Sequence, residues 1–130
     1  MSQDQNASAA RPAAACLHVL LVQDMPGLWS ARGLEHDILC EGRTIGEALR
    51  CIVRLIDAHS AFDQRHRRAP LSAFGAAPQF CWNAFTSGTP IAPAQLGVDH
   101  PDGWQIAAAI AHRRPLPVQV LRSSEQRATA

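Results

Sequence analysis

Between Cys16 and Gln23 the chain is apolar on both alternating faces. Leu17, Val19 and Leu21 fall on one side of an extended segment, and Leu20 and Val22 fall with His18 on the other. A strand with this pattern has no side to turn to water. It must sit centrally in a sheet that is covered on both faces, or covered once and paired in an oligomer. Asp24-Met25-Pro26-Gly27 then reads as a turn, Pro pre-setting φ and Gly tolerating a positive one. Leu28 to Leu34 supplies a second strand and closes a hairpin. After the polar interruption Glu35-His36-Asp37, Ile38 to Glu41 reads as a third strand, with Ile38 and Cys40 facing one way and Leu39 the other. The first half of the chain is thus a three-stranded meander.

Thr44-Ile45-Gly46-Glu47 matches a capping box, in which hydroxyl and carboxylate satisfy the free amides of a helix start. From there Ile45, Ala48, Leu49, Ile52, Ile56 and His59 recur at helical spacing, with Arg50, Arg54 and Asp57 on the opposite side. The pattern predicts a helix from 45 to 66, ending in Arg65-His66-Arg67-Arg68, whose charge suits the negative end of the helix dipole. A second, short helix is expected from Pro78 to Thr86, carrying Phe80, Trp82 and Phe85. Pro90 to Gly103 reads as a turn-rich linker. Over 104–110 the alternation of Trp104, Ile106, Ala108 and Ile110 favours a strand, against the helix propensity of alanine. Val118 to Leu121, flanked by Pro115 and Pro117, is the other candidate for the last strand, at an edge.

The 130 residues amount to one domain, predicted over 16–122, with polar, disordered tails at 1–15 and 123–130. Hydrophobic residues make up 47%, but 23 of them are Ala, so the core is modest. Net charge is +1 and all 12 basic residues are Arg, which leaves no basic footprint for nucleic acid. The N-terminal residues lack the basic and apolar regions of a secretory signal, and the apolar run at 16–22 is far short of the ~20 residues that cross a bilayer. The expectation is a cytoplasmic protein with no membrane contact. Cys16, Cys40, Cys51 and Cys81 form no CxxC or CxxH pair, so they read as free, mostly buried thiols. Cys51, beside Arg50 and one turn before Arg54, is the single candidate for a reactive one.

No catalytic, cofactor or metal site is predicted. Glu35-His36-Asp37 groups residue types that coordinate metals or shuttle protons, and His36 with Asp37 is the pair an enzyme or metal protein would use. Neighbours on an extended chain point to opposite sides, however, so the three do not converge unaided. A metal-dependent nuclease needs several carboxylates gathered together, and the strand at 17–23 carries none. Arg65 to Arg68 and Arg113-Arg114 are too short to argue for nucleic acid and read as solvated charge. GxSxG, HExxH and Walker A motifs are all missing. Phe80, Trp82 and Phe85 do not share one helical face, so at least one should turn from the core towards a partner. With Trp29 they form the predicted partner-binding set.

Trp29-Ser30-Ala31-Arg32-Gly33-Leu34-Glu35-His36-Asp37-Ile38, followed by Gly42-Arg43-Thr44-Ile45-Gly46-Glu47-Ala48-Leu49, resembles the N-terminal domain of the HicB antitoxin family. That domain has an aromatic-led second strand, a third strand ending in Gly and a Thr-x-x-Glu-Ala helix start. The resemblance spans residues 17 to 62. It implies an α+β fold, a small antiparallel sheet (βββαβ, truncated ribonuclease H-like) backed by one long helix, here with a short C-terminal helix added. It also implies a non-enzymatic, antitoxin-like protein acting by protein–protein binding, usually as a homo-oligomer such as a dimer. In members paired with a HicA-type toxin, the partner is that small ribonuclease. Glu35-His36-Asp37 replaces the family's usual turn after the second strand, and 63–130 carries neither helix-turn-helix nor ribbon-helix-helix. The chain therefore looks most like stand-alone members of the family, and repression of an operon is not implied.

Overall fold

The doubly apolar segment becomes strand β1 (Ala15–Met25), and its neighbours cover it on both faces. The computed structural model describes residues 15–101, 103–113 and 115. Hairpin partner β2 (Leu28–Gly33) runs antiparallel to β1, turning at Gly27 with φ +76°. Strand β3 (Ile38–Gly42) runs antiparallel to β2. Helix α1 (Ile45–Arg65) follows, then α2 (Gln79–Thr86), β4 (Thr89–Ile91), a short 3-10 turn (Pro93–Leu96) and β5 (Trp104–Ile110). Five strands lie in the order β3-β2-β1-β5-β4. The fold is α+β, a small sheet backed by one long helix.

Three sequence expectations need correcting. The sheet is mixed, because β5 pairs parallel with β1, Leu17 opposite Ile106 and Leu21 opposite Ile110. A parallel pair needs a long crossover, and the two helices with β4 supply one that brings the chain back in the direction of β1. The segment 90–103 is also more than a linker, since it contributes the end of β4 and the 3-10 turn. Pro90 is accommodated because β4 is an edge strand. Alternation prevails over alanine's helix propensity at 104–110 because β1 and β4 offer ladder partners on both sides. Ala15, assigned to the tail by sequence, opens β1. The remainder of that tail, the tail at 123–130 and the strand candidate Val118 to Leu121 lie outside the described residues.

On one side of the sheet Leu17, Val19, Leu21, Ala31, Ile38 and Cys40 meet Ala48, Leu49, Ile52 and Ile56 of α1. The helix begins where the capping signal places it, with the Glu47 amide donating to Thr44 Oγ1 at 3.1 Å. Thr44→Ala should therefore cost about 1 kcal/mol, read as a lower urea midpoint with an unchanged slope. Strand and helix approach closely here. A Cβ on Gly42 would fall 2.5 Å from Ala48 N and 2.9 Å from Ala48 Cα. No helix among the described residues is long and apolar enough to cross a membrane.

Candidate functional site

Among the described residues, the other side of the sheet is only half covered. Strand alternation and register place His18, Leu20 and Val22 of β1, Leu28, Ser30 and Arg32 of β2, and Leu39 and Glu41 of β3 on this face. Among the described residues the one helix packed here is α2, eight residues long. At 100° per residue, Cys81, Ala84 and Phe85 share one arc of the helix, with Phe80 and Trp82 at its two borders. The three aromatics accordingly all pack, half-buried, against Leu20, Val22, Leu34 and Ala77. This corrects the expectation that one of them turns away: a flat sheet receives a wider stripe than another helix would. Trp29 lies on the opposite side, half-buried against the α1 core, so the four residues do not form one surface.

Beyond α2 the face opens into a groove of about 410 Å³ floored by Leu20, Val22, Leu28 and Leu39. Phe80 and Cys81 form one wall, and Asp24, Arg32 and Glu41 bring charges of both signs. Leu39 and Met25, which stand at the groove, are 55% and 58% exposed.

Glu35, His36 and Asp37 separate in the folded chain. The Glu35 carboxylate turns to β1, where Oε1 accepts the His18 amide at 2.8 Å and Oε2 lies 2.5 Å from His18 Nδ1. Trp82 and Phe85 pack on the same imidazole, with ring centroids 5.7 and 5.2 Å away. Asp37 takes Arg32 in a two-pronged pair, at 2.6 Å to Nε and 3.1 Å to Nη2. The His36 ring lies edge-on to Trp104 at 5.9 Å, with Nδ1 3.4 Å from the Phe74 carbonyl. His36 and Asp37 thus hold no common ligand. The His18–Glu35 pair is not legible in the sequence because it joins β1 to the β2–β3 turn, and the sequence does not state the register that brings them together. A hint was present, in that His18 interrupts an otherwise apolar face. A carboxylate on Nδ1 fixes ring orientation, and here it ties β1 to the β2–β3 turn. Among the described residues no three His, Cys, Asp or Glu side chains are placed to hold a metal ion.

The basic run behaves as its composition suggests. Arg65 ends α1, His66 Nδ1 donates to the Phe62 carbonyl at 2.8 Å, and Arg67 and Arg68 are exposed. Arg113 is exposed too, while Arg114 lies outside the described residues. No protein-family model matches this chain, and neither do curated proteins or solved structures.

All four cysteines are free, Cys40 and Cys81 buried and Cys16 exposed. Burial first, and then the neighbouring Cys51 thiol, push the Cys40 pKa from 9.0 to about 12. Burial likewise raises Cys81, opposed by the Arg32 guanidinium. Iodoacetamide at pH 8 should thus alkylate Cys16 at least a hundredfold faster than Cys40, read by peptide mass. The fold holds the Cys40 proton more tightly than the unfolded chain does. Its contribution is complete below pH 9 and is lost as pH rises towards 12. Urea midpoints should fall through that window, and fall less in Cys40→Ala.

Proposed function

We propose that this chain is a non-enzymatic, HicB-like interaction protein that pairs with a second copy of itself over the open half of its sheet. The observation that carries this reading is the floor over β2 and β3 that no described helix covers, where Leu39 and Met25 are exposed beside Leu28. Apolar surface gathered in one place on an otherwise well-covered domain is the usual mark of an interface. Two further features favour a second copy as occupant. The floor ends on β3, an edge strand, so two copies laid edge to edge would extend both sheet and groove. The rim carries Arg32 among Asp24 and Glu41, and such a mixture can pair with itself about a two-fold axis. The order of strands and helix at the start of the chain supports the HicB kinship, whose members commonly assemble.

Light scattering after size exclusion tests the proposal. The wild-type chain should run as a dimer at micromolar concentration, and Leu39→Asp should run as a monomer with its thermal midpoint within a few degrees of wild type. A wild-type monomer at that concentration overturns the reading. Co-purification of a small ribonuclease on the same floor, lost with Leu39→Asp, would replace the second copy by a toxin partner.

A further inference from the structure

Two thiols outside the groove meet across the interface between α1 and the sheet, and the backbone explains why. β3 ends at Gly42, the chain turns through Arg43 and Thr44, and α1 runs back over the strand it has just left. Gly42 is pressed against Ala48, as the 2.5 Å approach of a Cβ to Ala48 N demonstrates. Two residues back along β3 is roughly 6.6 Å and returns to the same face of the sheet, at Cys40. Three residues on from Ala48, a rise of about 4.5 Å and nearly one helical turn, is Cys51. The two paths run side by side from a common point of contact, so both side chains enter the same layer of the core. Cys40 belongs to that core and Cys51 packs against it, and the Cys51 thiol is near enough to help push the Cys40 pKa up. Cys40 is buried and Cys51 half-buried, so solvent meets Cys51 first.

We propose that Cys40 and Cys51 are a dithiol site that closes into an intrachain disulfide when a hydroperoxide reaches Cys51, tying β3 to α1. In the first step the Cys51 sulfur attacks a peroxide oxygen. The O–O bond breaks, Cys51 becomes a sulfenic acid, and the peroxide leaves as an alcohol, or as water from hydrogen peroxide. In the second, the Cys40 sulfur attacks the Cys51 sulfur, the S–O bond breaks, and hydroxide departs with the Cys40 proton as water. Two thiols lose two electrons to the peroxide, and no other reactant is needed. Because Cys40 keeps its proton to high pH, the second step accelerates as pH rises.

The test uses the full chain carrying Cys16→Ser, which removes the exposed thiol. It is treated with hydrogen peroxide under native conditions, blocked with N-ethylmaleimide and digested with trypsin without reductant. Peptide 33–43 should appear linked to peptide 51–54, the linkage should vanish with dithiothreitol, and its rate of formation should rise at least threefold between pH 7 and pH 8. Oxidation of Cys51 to sulfinic acid while Cys40 remains a thiol overturns the proposal. So does a linkage that forms only when urea is present.

Discussion

Gly42→Ala is expected to destabilise the fold by about 3 kcal/mol, whereas Gly46→Ala, four residues on, should be neutral or stabilising by up to ~1 kcal/mol. The contrast follows from what each new methyl would touch. At position 42 it would meet Ala48 N at 2.5 Å, Ala48 Cα at 2.9 Å and the Glu47 carbonyl carbon at 2.9 Å. All three belong to the first turns of α1, so the helix itself must lift from β3. At position 46 the nearest atom is Arg50 Nη1 at 3.3 Å, the end of a flexible and exposed side chain. There the helix gains alanine's lower conformational entropy and nothing needs to move. Urea unfolding of both variants, followed by circular dichroism, gives the two numbers. If Gly42→Ala unfolds within 0.5 kcal/mol of wild type, the close contact of strand and helix is refuted.

A comparable loss, about 3 kcal/mol, is expected for Asp63→Ala. Asp63 lies in the last turn of α1, almost wholly buried, and its Oδ2 accepts the Leu71 amide at 2.8 Å. Its backbone carbonyl accepts the Arg68 amide at 2.8 Å and the His66 amide at 3.1 Å. One residue thereby organises the reversal after the helix, which delivers Leu71, with φ +61°, fully buried into the core. Truncation to alanine leaves the Leu71 amide buried with no acceptor, the costly half of a broken hydrogen bond. Asp63→Asn retains an acceptor oxygen and should lose only about 1 kcal/mol. Equal losses for the two variants would show that the carboxylate's charge matters and its geometry does not.

Much of this architecture was readable from residue order. The two-faced pattern of Leu17 to Val22 demanded cover on both sides, and α1 and α2 provide it. The stripe from Ile45 to Ile56 faces the core as its spacing requires. What stayed hidden depends on register and on distant partners. Nothing local to His18 announces Glu35, and nothing local to β1 announces that its second neighbour is β5 in parallel. Asp63 could have been noticed, since it continues the stripe at 52, 56 and 59, but a carboxylate just before a basic run reads as solvent-facing. The packing of all three α2 aromatics depends on the flat sheet that receives them, which helical angles alone do not contain. The open floor depends on the shortness of α2 relative to the sheet width, which no single residue encodes.

The place of β1 beside β5 also bears on how the molecule is made. Ala15 finds Trp104, and Leu21 finds Ile110, only after nearly the whole domain has left the ribosome. Until then the growing polypeptide can assemble the meander and lay α1 on it, but one edge of its most apolar strand waits bare. Pairings so distant in sequence slow the search for the native state, and they leave that edge open to chaperones or to aggregation during synthesis. Chains stalled or truncated before residue 104 should accumulate as chaperone-bound or insoluble species, while release of β5 lets the central strand complete its pairing.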